Sequence, residues 1–377
     1  MSSYYVDIHV IQSVPPSNIN RDDTGSPKSA PYGGVRRARV SSQAWKKAVR
    51  TSFKNLLPSD QLATRTKRVV ELLMNRLTAA PYELSEEDAQ QRALAVVKAL
   101  RLKTKKSRKK DESGAEGVER TEYLVFYSNQ QLDRLAELAA TTDGKISATD
   151  AKKVADSDHG IEVALFGRMV ANSQDLNVDS AVQVAHALST HAVEIESDYF
   201  TAVDDYKLDE DDAGAGMIGT VEFTSETLYR FATVAVSTLE NNLGDVDLTA
   251  QAASAFVRGF LMSMPTGKQN TFANNTIPDA VVVQIRKGRS ASFIGAFENA
   301  VNPADGGYVE PSCRALADYA HECEQAFLGE PVASFVTRIG ARTEAVASMG
   351  TEMRVDDLVS SVREQVASLL RDCLLYT

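Results

Sequence analysis

Residue types that do chemistry are present in this chain, but their spacing argues against most reactions. Asp204 and Asp205 form an adjacent acidic pair that could hold a divalent metal for phosphodiester cleavage. No second carboxylate or histidine motif stands out to complete such a centre. His186 and His191 are five residues apart, so they do not share a helix face as paired metal-binding histidines would, although Glu194, Glu196 and Asp198 follow closely. Cys313, His321 and Cys323 lack the spacing of a four-ligand zinc site. Gly214 to Gly219 spells GAGMIG, but the KLDEDDA before it is too acidic for a buried strand or a pyrophosphate neighbour, which points to a hairpin tip. Around Gly267 and Lys268, Met262 and Gln269 stand where a P-loop needs Gly and Ser or Thr. Nothing assembles a nucleophile, a base and an orienting group. The expectation is a protein that is not an enzyme, with no cofactor and no metal.

Binding chemistry is better supplied. GGVRRARVSSQAWKKAVR, from Gly33 to Arg50, holds six Lys or Arg and no acid. The acid-free interval extends from Asp23 to Asp60 and carries eight basic residues, in a chain of formal net charge −10. Arginine forks, lysines, Ser and Gln side chains, helix N-terminal amides and a Gly-Gly turn are the groups that hold phosphates and sugars. Overall acidity would argue against nucleic acid only if the charges were mixed. They are segregated: Glu194 to Asp212 holds nine acids against one Lys, whereas Lys98 to Lys110 holds eight basic residues and no acid. Such districts suit several partners, or copies of one chain docking head to tail.

The elements that position these residues follow from periodicity. Val6, Ile8 and Val10 alternate with Asp7 and His9, the pattern of a half-buried strand. SVPPSNINRDDTGSPKSAPYGG then reads as a long functional or disordered loop. VRRARV is a short strand with Arg37 and Arg39 on the same side. Ser41 or Ser42 caps the helix SQAWKKAVRTSFKNLL, which Pro58 closes. At 100° per residue, Trp45, Val49, Phe53 and Leu56 form a packing stripe; Gln43, Lys46, Lys47, Arg50 and Lys54 form a cationic one.

Leu62 to Ala140 is predicted to be helical, interrupted by the polar KTKKSRKKDESGAEGVER. GIEVALFGRMVAN has the look of a strand, and SAVQVAHALSTHAVEI of a helix or a helix running into a strand. A hairpin-like excursion from Thr201 to Phe223 precedes a β-rich run through VAVSTL, a helix from Leu248 to Met264 and the strand AVVVQI. ASFIGAFENAV, CRALADYAHECEQAFL and Val355 to Arg371 are expected helices, with VASFVT a short run between them. This is an α+β layout without internal repeats. No apolar run reaches the roughly 20 residues of a membrane span, the start MSSYYVDIHV lacks a basic-then-apolar signal, and three unpaired cysteines suit a reducing compartment. A cytoplasmic protein, away from membranes, is expected.

Asn20 to Arg50, NRDDTGSPKSAPYGGVRRARVSSQAWKKAVR, closely resembles the N-terminus of the CasC family, the repeated backbone subunit of the type I-E CRISPR complex Cascade. Further matching runs lie in order: ALFGRM, AHALSTHAVEIESDYFTAVDD, GTVEFTSETLYRFA and GKQNTFA. The resemblance implies an RRM-like (ferredoxin-like) antiparallel palm, a helical fingers insertion and a β-hairpin thumb. On this chain residues 1–58 and 159–377 would be palm, 59–158 fingers and 200–223 thumb. About six such copies would stack along a guide crRNA, each thumb displacing one nucleotide in six. Target DNA, neighbouring copies, a large subunit, a small subunit and guide-end-binding subunits are the implied partners.

The family's RNA-contacting positions fall on Arg21, Lys28, Ser41, Gln43, Lys46 and Arg50, with Met169 beside the kinked nucleotide, Met217 or Ile218 as the wedge, and Lys268 facing RNA. The Arg37 and Arg39 strand joins them as a candidate RNA surface. Val35 departs from the family, where a basic residue is expected, and the loop from Lys103 to Arg120 has no counterpart there. That loop is either a solvated surface or a segment that attracts target DNA. Two rivals stand beside this expectation: an RNA-processing nuclease using Asp204 and Asp205, and a protein-only filament subunit.

Overall fold

The computed structural model describes residues 3–106, 117–143, 145–170, 174–202, 217–304 and 307–375. Strand β1 (Tyr4–Ser17) is followed by β2 (Ser29–Tyr32), β3 (Val35–Val40) and helix α1 (Ser42–Ser52). The next segment holds β4 (Ala63–Thr66), α2 (Val69–Thr78), α3 (Glu86–Ala99), β5 (Thr104–Lys105), β6 (Arg120–Thr121) and β7 (Val125–Ser128). After α4 (Asn129–Thr141), α5 (Ala148–Ala155) and α6 (Gly160–Phe166), the chain returns to strands β8 (Val182–Val184) and β9 (Ala187–Ser189). Strands β10 (Glu196–Ala202) and β11 (Met217–Ala235) precede α7 (Val236–Leu243), α8 (Val246–Met262) and α9 (Gln269–Phe272). Strand β12 (Ala280–Lys287), α10 (Val309–Cys323), β13 (Ala333–Arg338), β14 (Thr351–Glu352) and α11 (Val355–Leu375) complete the fold.

One large sheet organises these elements in the order β14-β13-β12-β1-β11-β9-β3-β2, with β8 and β10 also pairing to β11. Among the described residues only its β13/β14 pairing is parallel. Strand β1 lies between β11 and β12, so that Ile8 faces Ala232 on one side and Val283 on the other. Val6, Ile8 and Val10 pack under α1, α8 and α11 with Phe256, Phe260 and Leu358. On the opposite face Ile11, Tyr229, Val282 and Phe293 meet α10.

The half-buried reading of β1 is corrected, because both faces are covered. Asp7 and His9 are as buried as their apolar neighbours. Asp7 accepts from Ser290 Oγ at 2.6 Å and the Ala291 amide at 2.9 Å; burial still raises its carboxyl above the usual range. His9 lies 2.9 Å from the Tyr229 hydroxyl and stacks on Phe293, and burial pushes its imidazole down to about 3.

Four other expectations change. GIEVALF is helix α6, since a short apolar run fits a buried helix as well as a strand. SAVQVAHALSTHAVEI contains β8 and β9 and no helix. The run through VAVSTL ends as strand at Ala235 and continues as α7. ASFIGAFENAV forms only the short 3-10 turn Ile294–Phe297. The long loop after β1 is also shorter than expected, because β1 extends to Ser17 and β2 begins at Ser29.

A second core is formed by the segment between α1 and β8. Val70, Leu73, Val96, Tyr127, Leu132 and Leu135 are buried together, with Val170 and Leu176 from beyond α6. It grows from the amphipathic repeats of α2, α3 and α4, each of which turns an apolar stripe inward.

Candidate nucleic-acid interface

Helix α1 is placed by its packing stripe. Trp45, Val49 and Phe53 are completely buried, and each contributes roughly 2–3 kcal/mol by leaving water. Ser41 is the N-cap, its Oγ accepting from the Ala44 amide at 3.4 Å. The stripe fixes which side chains face outward, and these divide into three groups.

The first lies toward the loop between β1 and β2. Ile19 to Gly25, the Ala44, Lys47, Ala48 and Thr51 side of α1, and Ser263 to Lys268 line an open groove of about 1080 Å³. Arg21, Lys47 and Lys268 are its cations, and none of the three forms an ion pair among the described residues. Asp22 and Asp23 line it too. Asp22 is occupied, since Oδ1 accepts from the Thr24 amide, Thr24 Oγ1 and the Ser26 amide; the Thr24 hydroxyl leads in holding this carboxyl below the usual range.

The second group surrounds the start of α1. Arg39 Nη1 and the Ser42 amide both donate to His186 Nδ1, at 3.3 Å each. Two donors on one nitrogen make the ring neutral with its proton on Nε2. Burial, then the charges of Arg39 and Lys28, lower the His186 pKa. Lys28 is tied in through its amide, which donates to the Asn20 carbonyl, and its carbonyl, which accepts from the Arg39 amide.

The third group faces β4, β7 and α6. Lys46 is half-buried near Arg65, and burial followed by that like charge lowers its pKa. Arg50 donates through Nε to Glu162 at 3.2 Å and through Nη2 to the Ala63 carbonyl, and lies over the Phe126 ring at 4.6 Å. Glu162 is buried, which raises its carboxyl against the opposing pull of Arg50.

The expected residues are therefore not equivalent. Arg21 and Lys268 share the groove; Lys28, Arg39 and Ser41 gather at the α1 start; Gln43 is exposed and Lys46 half-exposed. Arg37 is corrected. It is completely buried, and its guanidinium donates to the carbonyls of Tyr32, Ser189, Phe297 and Glu298, so no phosphate reaches it. Arg50 is largely engaged with the protein. Met169 stands 84% exposed, apart from α1, in a hollow with Lys103, Tyr123 and Leu124. Met217 and Ile218 pair through their backbones with Ala202 and Thr201 in the β10/β11 hairpin. Asp204 and Asp205, and most of the basic loop between Lys103 and Arg120, lie outside the described residues.

Lys47, Arg65, His186 and Tyr123 are additions to the expected set. For Lys47 the signal was present: Ala44, Ala48, Thr51 and Asn55 recur at helical spacing as small or polar groups, the floor of a groove. His186 had no such signal, because its neighbours are set by the β3/β9 pairing. Among the described residues no group of three or more His, Cys, Asp or Glu could hold a metal ion, and no helix is long and apolar enough to cross a membrane.

A mixed α+β chain with a large sheet, a second, largely helical core and a cationic groove beside a strand hairpin is thus defined. The model of the CT1975-like protein family matches residues 6–361, and the chain belongs to that family. A chain of a structure titled "CRISPR RNA-guided surveillance complex, pre-nicking" is similar over 95% of this chain and 100% of that one, with 34% identity and a TM-score of 0.83. A chain of a "CRISPR RNA-guided surveillance complex" is similar over 95% and 99%, with 30% identity and a TM-score of 0.74. No curated protein matches the chain.

Proposed function

We propose that this chain is a non-catalytic, repeated backbone subunit of a type I-E CRISPR surveillance complex, acting in antiviral defence. In this reading it binds the guide RNA by its phosphates and sugars and leaves sequence recognition to base pairing. The sheet serves as an RRM-like palm, the second core as fingers and the β10/β11 hairpin as a thumb that kinks the RNA of a neighbouring copy. Target DNA, further copies and the other complex subunits are its partners.

The observation that carries the reading is the groove shared by Arg21, Lys47 and Lys268, in a chain about one-third identical over nearly its whole length to a chain of a CRISPR RNA-guided surveillance complex. Cations without carboxylate partners among the described residues, set beside a helix flank, suit a chain of phosphates. Lys28, Arg39 and His186 extend the donor surface around the start of α1.

Co-expression with a guide RNA tests this. Purified assemblies are expected to contain RNA, and RNase with high salt is expected to disperse them. Assemblies that persist without RNA would establish a protein filament instead. Metal-dependent RNA cleavage lost in Asp205→Ala would establish a nuclease.

A further inference from the structure

Three parts of the molecule meet at one buried side chain outside the groove. Asn18 follows β1 directly and is 1% exposed. Its Nδ2 donates to the Gly25 carbonyl at 3.0 Å and to the Glu222 carbonyl at 2.9 Å. Gly25 belongs to the loop that walls the groove, and Glu222 to the base of the hairpin, where it pairs with Ser197. One amide group thus spans the groove loop and the hairpin. Its orientation is fixed by chemistry, because only the NH2 can face two carbonyls, and Oδ1 is left buried with no partner among the described residues.

Neighbouring packing leads to the same place. A Cβ at Gly267 would stand 2.3 Å from the Ile19 carbonyl oxygen, so the segment carrying Lys268 lies directly against Asn18 and Ile19. Phe272, on that same segment, meets Phe223 of the hairpin base at 6.0 Å between ring centroids. Ile19 packs with Trp45 beneath α1, and Asn20 Oδ1 accepts from the Ser41 amide at 2.8 Å. The groove wall, the start of the nucleic-acid helix and the hairpin base are therefore connected within three consecutive residues.

We propose that Asn18 is a positioning residue that couples the groove to the hairpin. When an RNA backbone orders the loop through Arg21 and Lys268, the Gly25 carbonyl is held in place, and Asn18 transmits that order to Glu222. Hairpin orientation then depends on whether the groove is filled. The coupling to RNA rests on the function proposed above; the mechanical link does not.

Hydrogen exchange on the full-length chain, free and with a single-stranded uridine 12-mer as probe, separates the two. In the free protein Asn18→Ala is expected to speed exchange about tenfold both in the Ile19 to Lys28 loop and at the hairpin base near Glu222, the effect of removing about one hydrogen bond at each site. An unchanged hairpin base overturns the link. With RNA, wild type is expected to slow exchange in both regions and Asn18→Ala in the loop alone. Joint slowing in the variant would also overturn it, because some other path would then carry the signal. If wild type responds nowhere to RNA, the RNA reading falls, and the free-protein comparison still decides the link. Should Asn18→Ala not fold, Asn18→Ser, small and polar, serves in both arms.

Discussion

Arg230 lies over the ring of Trp45, its guanidinium carbon 3.8 Å from the ring centroid. Phe260 provides a second ring at 4.5 Å, Gln12 Oε1 accepts from Nη1 and the Phe260 carbonyl from Nη2. Among the described residues no carboxylate pairs with this cation, and burial lowers its pKa to about 9. It stays charged at neutral pH with aromatic faces and carbonyl dipoles as its counter-groups. Helix α1 is thereby anchored, through Trp45, to the central strand β11.

Trp45→Ala is expected to cost about 3–5 kcal/mol in chemical denaturation, because it opens a cavity and uncovers the Arg230 charge. Arg230→Met should cost less, since an apolar side chain of similar length removes the charge together with its need for partners. The reverse order would mean that the cation, and not the ring, is the anchor.

Arg37 and Arg39 are two residues apart and are expected to behave oppositely. Arg37→Ala leaves four carbonyls without their donor, at about 1–3 kcal/mol for each one that stays buried and unpaired, so the melting temperature should fall sharply. Arg39→Ala should melt with wild type and bind RNA more weakly. Thermal unfolding and filter binding measure the pair.

Salt dependence separates groove cations from structural ones. Removing Arg21, Lys47 or Lys268 should reduce the slope of log K against log salt by about 0.7 for each single-strand phosphate that the variant no longer neutralises. Arg50→Ala should leave the slope nearly unchanged and cost about 2 kcal/mol of stability by stranding Glu162. That is less than a fully buried pair would forfeit, since the Arg50 side chain is 24% exposed.

Glu226 gives a pH signature. It is buried on the face of β11 that also carries Leu228 and Arg230, and burial pushes its carboxyl from 4.5 up to about 8. The folded state holds this proton between those values while the unfolded chain loses it. The group therefore costs nothing below about pH 4.5, and its penalty grows as pH rises to about 8 before levelling off. Glu226→Gln should raise stability by an amount near zero at pH 4.5 and of order a few kcal/mol by pH 8. Equal gain at both pH values would show that ionisation is not its cause.

Periodicity was enough to find the α1 stripe, because Trp45, Val49 and Phe53 obey one local rule, and the sheet grew from alternations such as Val6, Ile8 and Val10. It failed where distant chain decides the outcome. Arg37 and Arg39 share a strand face, but only Arg37 meets carbonyls supplied from Ser189, Phe297 and Glu298. Likewise the cationic stripe of α1 was visible as charge, whereas its division came from Glu162 on one flank and the Lys268 segment on the other. Short apolar runs such as IEVALF are ambiguous until neighbours claim them.

Strand β11 pairs with β10 from Met217 to Phe223 and with β1 from Thr224 to Ala235, as one uninterrupted backbone. The hairpin is thus a continuation of the central strand, not an ornament attached to it. Side chains along a strand alternate, so gain or loss of one residue near Thr224 would turn Leu228, Arg230 and Ala232 to the wrong face of the sheet. Length variation among relatives should accordingly collect beyond Met217, while the inner part of β11 keeps its count.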